Sequence, residues 1–169
     1  MTEFFAHTAL SHDGTPAGTD FREPLELHLN QVSATASSFA EAFGAKEWAG
    51  LAARWHDLGK YSSEFQRYPR QASGHSDPHG EDLTSTGGRV DHSSSGAKHC
   101  AAQGQLRQLL ACVIAGHPAG LPDGVELRER LAKKVAVWDS LAPNYLARSA
   151  TIPRARELGK RGEKCTPPN

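Results

Sequence analysis

A histidine stands directly before an aspartate in Trp55-His56-Asp57-Leu58-Gly59-Lys60, at the end of an amphipathic pattern in a chain of 169 residues. Adjacent helix residues point about 100° apart, so His56 and Asp57 face neighbouring sites instead of sharing one direction. Asp57 and Lys60, three apart, share a face. A carboxylate has two oxygens and can bridge two cations, while a lysine beside it can meet an anionic substrate. The plainer alternative is a helix end stabilised by Lys60 and stopped by Gly59. A second such pair, His12-Asp13, lies in a turn-rich stretch without this setting.

The chain holds nine histidines, and three more occupy matching places. His28 lies on the apolar stripe of a long helical pattern, between Leu25 and Val32. His92 opens a helical segment after a polar loop, and His117 ends the most apolar segment, after Ile114-Ala115-Gly116. Taken singly, each reads as a hydrogen-bonded interior or helix-end histidine. Together, each helix delivers one imidazole towards a common core, which is where helical bundles build metal sites. Interior imidazoles without partners are costly, whereas neutral ones bound to a divalent cation are satisfied. Mixed imidazole and carboxylate donors suit Mn, Co, Ni, Fe or Zn better than Mg.

The elements that must position these groups follow from periodicity. Apolar residues at steps of three and four (Leu25, Leu29, Val32, Ala36, Phe39, Ala40, Phe43) predict a helix from Pro24 to the glycine at 44. A second helix is predicted over 46–58, with Trp48, Leu51, Ala52 and Trp55 inward and Gly59 closing it. A short helical turn over 62–68 is expected to stop before Pro69. Residues 70–91 lose all periodicity and predict a long polar loop, with His75 and His79 in solvent. Helices are predicted again over 93–103 and 105–116, the latter striped by Leu106, Leu109, Leu110, Val113 and Ile114. A Gly/Pro turn over 118–124 precedes a last amphipathic segment, 125–141. No strand-like alternation or internal repeat occurs, so the fold class is all-α.

Composition narrows the function. Hydrophobic residues at 38% suit a globular core, and the length suits one domain, 1–147, followed by a basic tail, 148–169, that ends in Thr166-Pro167-Pro168-Asn169. Nineteen basic residues balance nineteen acidic ones, so no overall positive field marks a nucleic-acid binder; such a partner must be held by a patch or by bound cations. No apolar run is long enough to span a bilayer. Residues 1–7 lack the features of a secretory leader. Cys100, Cys112 and Cys165 form no C-x-x-C pair, and the expectation is reduced thiols in the cytoplasm.

The order Phe5-Ala6-His7, Leu27-His28, His56-Asp57-Leu58-Gly59-Lys60, Val90-Asp91-His92-Ser93 and Ala115-Gly116-His117, followed by Ala119-Gly120-Leu121-Pro122-Asp123, resembles the HD nuclease domain of type I CRISPR interference. That domain is the nuclease half of the CRISPR-associated Cas-three helicase–nuclease family, sometimes encoded as a separate double-prime protein. The resemblance covers residues 4 to about 124 and implies an HD-superfamily helical bundle with one or two divalent transition metals in its core. It implies cleavage of single-stranded DNA, with a helicase subunit and the RNA-guided surveillance complex as partners. Carried over residue by residue, His28, His56 and Asp57 would hold a first metal and Asp57, His92 and His117 a second, with Asp57 and Lys60 catalytic and Lys60 beside the scissile phosphate. Two positions depart from the family. Pro118 stands where a second histidine is usual, and no residue convincingly matches a further downstream aspartate, Asp139 lying too near. Each site is therefore expected to be one protein ligand short, in a domain truncated, degenerate or completed by water. Two rival readings remain open at this level: an HD-type phosphohydrolase of nucleotides with a closed pocket, and a weakened docking module for a helicase subunit.

Overall fold

The computed structural model describes residues 4–8, 22–71, 91–104, 107–117, 120–138, 140 and 142–143. Six helices dominate them: α1 (Leu25–Glu41), α2 (Lys46–Trp55), α3 (Ser63–Gln71), α4 (Ser93–Ala101), α5 (Gln108–Gly116) and α6 (Gly124–Ala132), with a 3₁₀ turn at Leu58–Tyr61 between α2 and α3. The all-α expectation holds. Faces of α1, α2, α4, α5 and the 3₁₀ turn converge on one apolar cluster, built from Leu25, Leu29, Leu51, Trp55, Leu58, Tyr61, Ala97, Cys100, Leu110, Ile114 and Trp138.

Two close approaches shape this core. The helices α1 and α2 meet through small residues, with Ser33 Oγ donating to Gly50 O at 2.8 Å. The helix α4 crosses the end of α2 so tightly that a Cβ at Gly96 would run into the Trp55 carbonyl. Only glycine permits that crossing. The helix α6 opens on a capping box: the Asp123 side chain accepts from Val125 N and Glu126 N, and Glu126 reaches back to Asp123 N.

Several sequence expectations change. A short antiparallel ladder joins β1 (Phe5–Thr8) to β2 (Arg22–Pro24), with a bulge between Phe5 and His7. Strands of four and three residues are too short to show a period. The helix α3 continues through Pro69 to Gln71, since proline biases its neighbour away from the helical region without forbidding it. The last helix stops at Ala132 instead of 141; the chain beyond it carries Trp138, 7% exposed, into the core beside His99. Phe39 and Phe43, expected inward, are 77% and 73% exposed, as are Leu109 and Val113 in part. The buried line of α1 runs Leu25, Leu29, Ser33, Ala40, so the face that meets α2 is set by small residues and not by the largest apolar ones. The 72–90 part of the predicted loop, with His75 and His79, lies outside the described residues, as do Pro118, Asp139 and the basic tail.

Candidate metal centre

The residues His56 and Asp57 fall just past α2, in the turn that leads into the 3₁₀ segment. Asp57 is 1% exposed, and imidazoles from separate elements surround it. On one side of its carboxylate, Oδ2 lies 3.0 Å from His56 Nε2, 3.5 Å from His28 Nε2 and 2.8 Å from Lys60 Nζ. On the other, Oδ1 lies 3.4 Å from His92 Nε2 and 3.7 Å from His117 Nε2. The structure thus brings together His28, His56, Asp57, Lys60, His92 and His117, the six residues expected at the site. It adds one that the sequence argument left without a role: His7, on β1, forms a ligand-capable group with His28 and Asp57, while His56, Asp57 and His117 form another.

Two of the imidazoles, His28 and His56, are aimed by a partner on Nδ1. His28 Nδ1 lies 3.0 Å from Glu23 Oε2 and His56 Nδ1 lies 2.5 Å from Ala53 O. With the proton on Nδ1, each ring would serve its acceptor and could present the Nε2 lone pair to a cation, the arrangement that fixes metal-ligating histidines. His92 stands at the N-terminus of α4, where Asp91 accepts from the Ser94 N–H and hydroxyl. Its backbone lies against Gly59, where a Cβ would collide with it. Gly59 is therefore no helix stop; it lets two site-bearing segments touch. His117 ends α5, whose Ala115 carbonyl accepts from Arg130 of α6 at 2.5 Å.

The electrostatics follow from this crowding. Burial opposes ionisation of Asp57, but the His28 and His56 rings and the Lys60 charge outweigh it and hold the carboxyl well below the usual carboxylate range. The contact with Asp57 raises His28. Burial lowers His7 and His117, and neighbouring positive charge adds to the effect. Lys60 is itself buried, with Nζ donating to Ala6 O at 3.1 Å, so its ammonium is committed to Asp57 and to β1. Cys100 is buried apart from the site, its thiol pushed up to about 11 by burial.

This donor set fits a transition-metal centre. Despite their near neighbours, both Asp57 oxygens and His28 Nε2 are buried with no partner in hydrogen-bond geometry. Such orphaned groups are costly unless something else satisfies them. The His56 and His92 separations from Asp57, 3.0 and 3.4 Å, are those of two donors on one ion, about 3.0–3.4 Å for bonds of about 2.1 Å at 90–110°. His28 and His117 stand slightly farther out at 3.5 and 3.7 Å. Side chains at the rim leave the centre open: His7 is exposed and the His117 side chain is 42% exposed.

A family model described as Cas3, HD domain matches residues 16–162. That span includes His28, His56, Asp57, Lys60, His92 and His117, and leaves out His7. No curated protein matches the chain.

Proposed function

The chain belongs to the Cas3 HD-domain family, and on that premise we propose that it cleaves single-stranded DNA in type I CRISPR interference. The family gives the coarser statement, an HD-type metal-dependent nuclease of CRISPR defence. The finer one is supported by a single observation: imidazoles from separate elements surround a buried carboxylate whose two oxygens lack hydrogen-bond partners, at a solvent-open rim. An open rim suits a polymer strand better than a small nucleotide enclosed on all sides.

His28, His56 and Asp57 would hold one divalent cation, and Asp57, His92 and His117 a second. When bound, the cations supply nucleophilic water at neutral pH and charge for the phosphoryl oxygens. Asp57 contributes a carboxylate that stays ionised across the working range, so its two oxygens are always available as donors. Glu23 and the Ala53 carbonyl hold His28 and His56 in the tautomer that presents Nε2. Lys60 balances the Asp57 charge; to meet the scissile phosphate as well, its ammonium would have to leave the Ala6 carbonyl. Manganese, cobalt, nickel, iron or zinc suits these ligands better than magnesium. The DNA strand is expected to reach the site through a helicase subunit and the RNA-guided surveillance complex, in the cytoplasm. No described helix is long and apolar enough to cross a membrane.

The test is incubation of the manganese- or nickel-loaded chain with circular single-stranded DNA, duplex DNA, mononucleotides and a phosphate monoester. Cutting of the single strand alone, lost in His56→Ala and Asp57→Ala, is the expected result. Turnover of mononucleotides without DNA cutting would replace the proposal with a phosphohydrolase.

A further inference from the structure

We infer that His7 is a ligand of the cation on the Oδ2 side of Asp57, presented by a strand that the centre itself clamps in place. This rests on the metal-centre reading above and extends it to a residue outside the family match. His7, His28 and Asp57 offer ligand atoms that all lie within 4.8 Å of one another, and the His7 and His28 rings meet edge to face with centroids 4.9 Å apart. The two groups that His7 approaches are buried and, beyond their ion-pair neighbours, unsatisfied: Asp57 is 1% exposed, and its carboxylate oxygens and His28 Nε2 have no partner in hydrogen-bond geometry.

The bonds that hold β1 point the same way. Gln66 on α3 is fully buried, and its amide is spent on this strand. Its Oε1 accepts from Phe5 N at 3.1 Å, and its Nε2 donates to Phe5 O at 2.9 Å and to Lys60 O at 2.7 Å. Lys60 Nζ, buried too, donates to Ala6 O. The bulge between Phe5 and His7 falls at this point, and bulges re-aim the side chains next to them. Buried polar groups are costly to install and are worth keeping when they fix a unique arrangement. Here they fix the two residues that precede His7, while His7 itself, opposite Glu23 in the ladder, stays exposed. Glu23 in turn holds His28. Strand and helix thus bring two imidazoles to the Asp57 carboxylate, where His28 and His56 already lie on the Oδ2 side.

The experiment is a titration of the chelator-stripped full chain with Co²⁺, read by calorimetry and by visible absorption, which responds to the number and kind of donors. The variants are His7→Ala, His7→Phe and Gln66→Leu. His7 is exposed, so its replacement leaves folding intact, as far-ultraviolet circular dichroism would show. His7→Phe keeps a ring against His28 but has no nitrogen. Both His7 variants are expected to weaken one class of Co²⁺ site by about 10-fold or more and to change its absorption, with His7→Phe no better than His7→Ala. Gln66→Leu, if it folds, is expected to weaken the same class. Wild-type affinity and absorption in both His7 variants would overturn the inference while leaving the metal centre standing. Wild-type binding by His7→Phe alone would also overturn it, because the ring and not the nitrogen would then matter. A wild-type chain that binds no Co²⁺ would overturn the metal-centre reading and this inference together.

Discussion

Replacing Gly59 by alanine isolates the packing that brings His92 to Asp57. A Cβ there would lie 2.7 Å from His92 Cα and 2.8 Å from its carbonyl carbon, and closer still to its oxygen. Ordinary contacts need about 3.5–4.0 Å, so the two segments must part by about 1 Å. The obstructing atoms are backbone and cannot swing aside. Overpacking of this kind costs about 1–3 kcal/mol, and the lower entropy of the unfolded alanine chain offsets about 0.4–1 kcal/mol. The net loss is about 1–2 kcal/mol, or about 2–8 °C in Tm for a domain of this size. His92 Nε2 stands 3.4 Å from Asp57 Oδ1, so the same displacement should weaken the Oδ1-side cation by about 10–100-fold and spare the Oδ2 side. Gly124→Ala is the control, since the nearest atom to its added Cβ is the flexible tip of Arg128 at 3.8 Å. Thermal unfolding and metal titration of both variants provide the assay. Wild-type Tm and two-sided metal binding in Gly59→Ala would refute the packing argument.

Glu23→Leu removes the acceptor that holds His28 Nδ1 and is expected to weaken Oδ2-side metal binding by about 10–100-fold, with Glu23→Gln recovering part of it; titration calorimetry distinguishes them. For the metal-free chain, His7 and His117 are lowered from 6.5, so their contribution is full above pH 6.5 and is lost as pH falls through their folded values. Asp57, lowered from 3.8, adds a further loss only as pH falls below about 4. His28, raised, contributes fully below pH 6.5 and loses that contribution as pH rises through its folded value. The Tm of the chelated protein should therefore fall on acidification from pH 6.5 to 5, and a Tm that rises over that interval would contradict the assignment. Cys100, buried with its thiol at about 11, should react with a disulfide reagent at pH 8 far more slowly than Cys112 in a Cys165→Ser background; equal rates would mean that the core opens readily.

The all-α class and the residues that gather at the candidate site were legible in the sequence; the contacts between distant segments were not. His56-Asp57 announced itself by position, His28 by its place on an apolar helical stripe, and His92 and His117 by standing at helix ends. These are local signals, set by helical period and caps. What escaped depended on contacts between distant segments. Gly59 read as a helix stop because its true neighbour, the His92 backbone, is far along the chain. The strand pair escaped because its register is held by Gln66 and Lys60 and not by any alternation of its own. His7 went without a role for the same reason, although the motif Phe5-Ala6-His7 was visible. Phe39 and Phe43 misled in the other direction, since apolar spacing cannot tell which of two faces a neighbour of small residues will cover.

The most direct measurement is the metal content of the chain after loading with manganese or cobalt and exhaustive dialysis, compared with that of Asp57→Ala. The account predicts one or two ions retained per wild-type chain and none in the variant, because Asp57 is the donor shared by both sides of the centre. Equal retention by the two proteins, or none by the wild type, would contradict it.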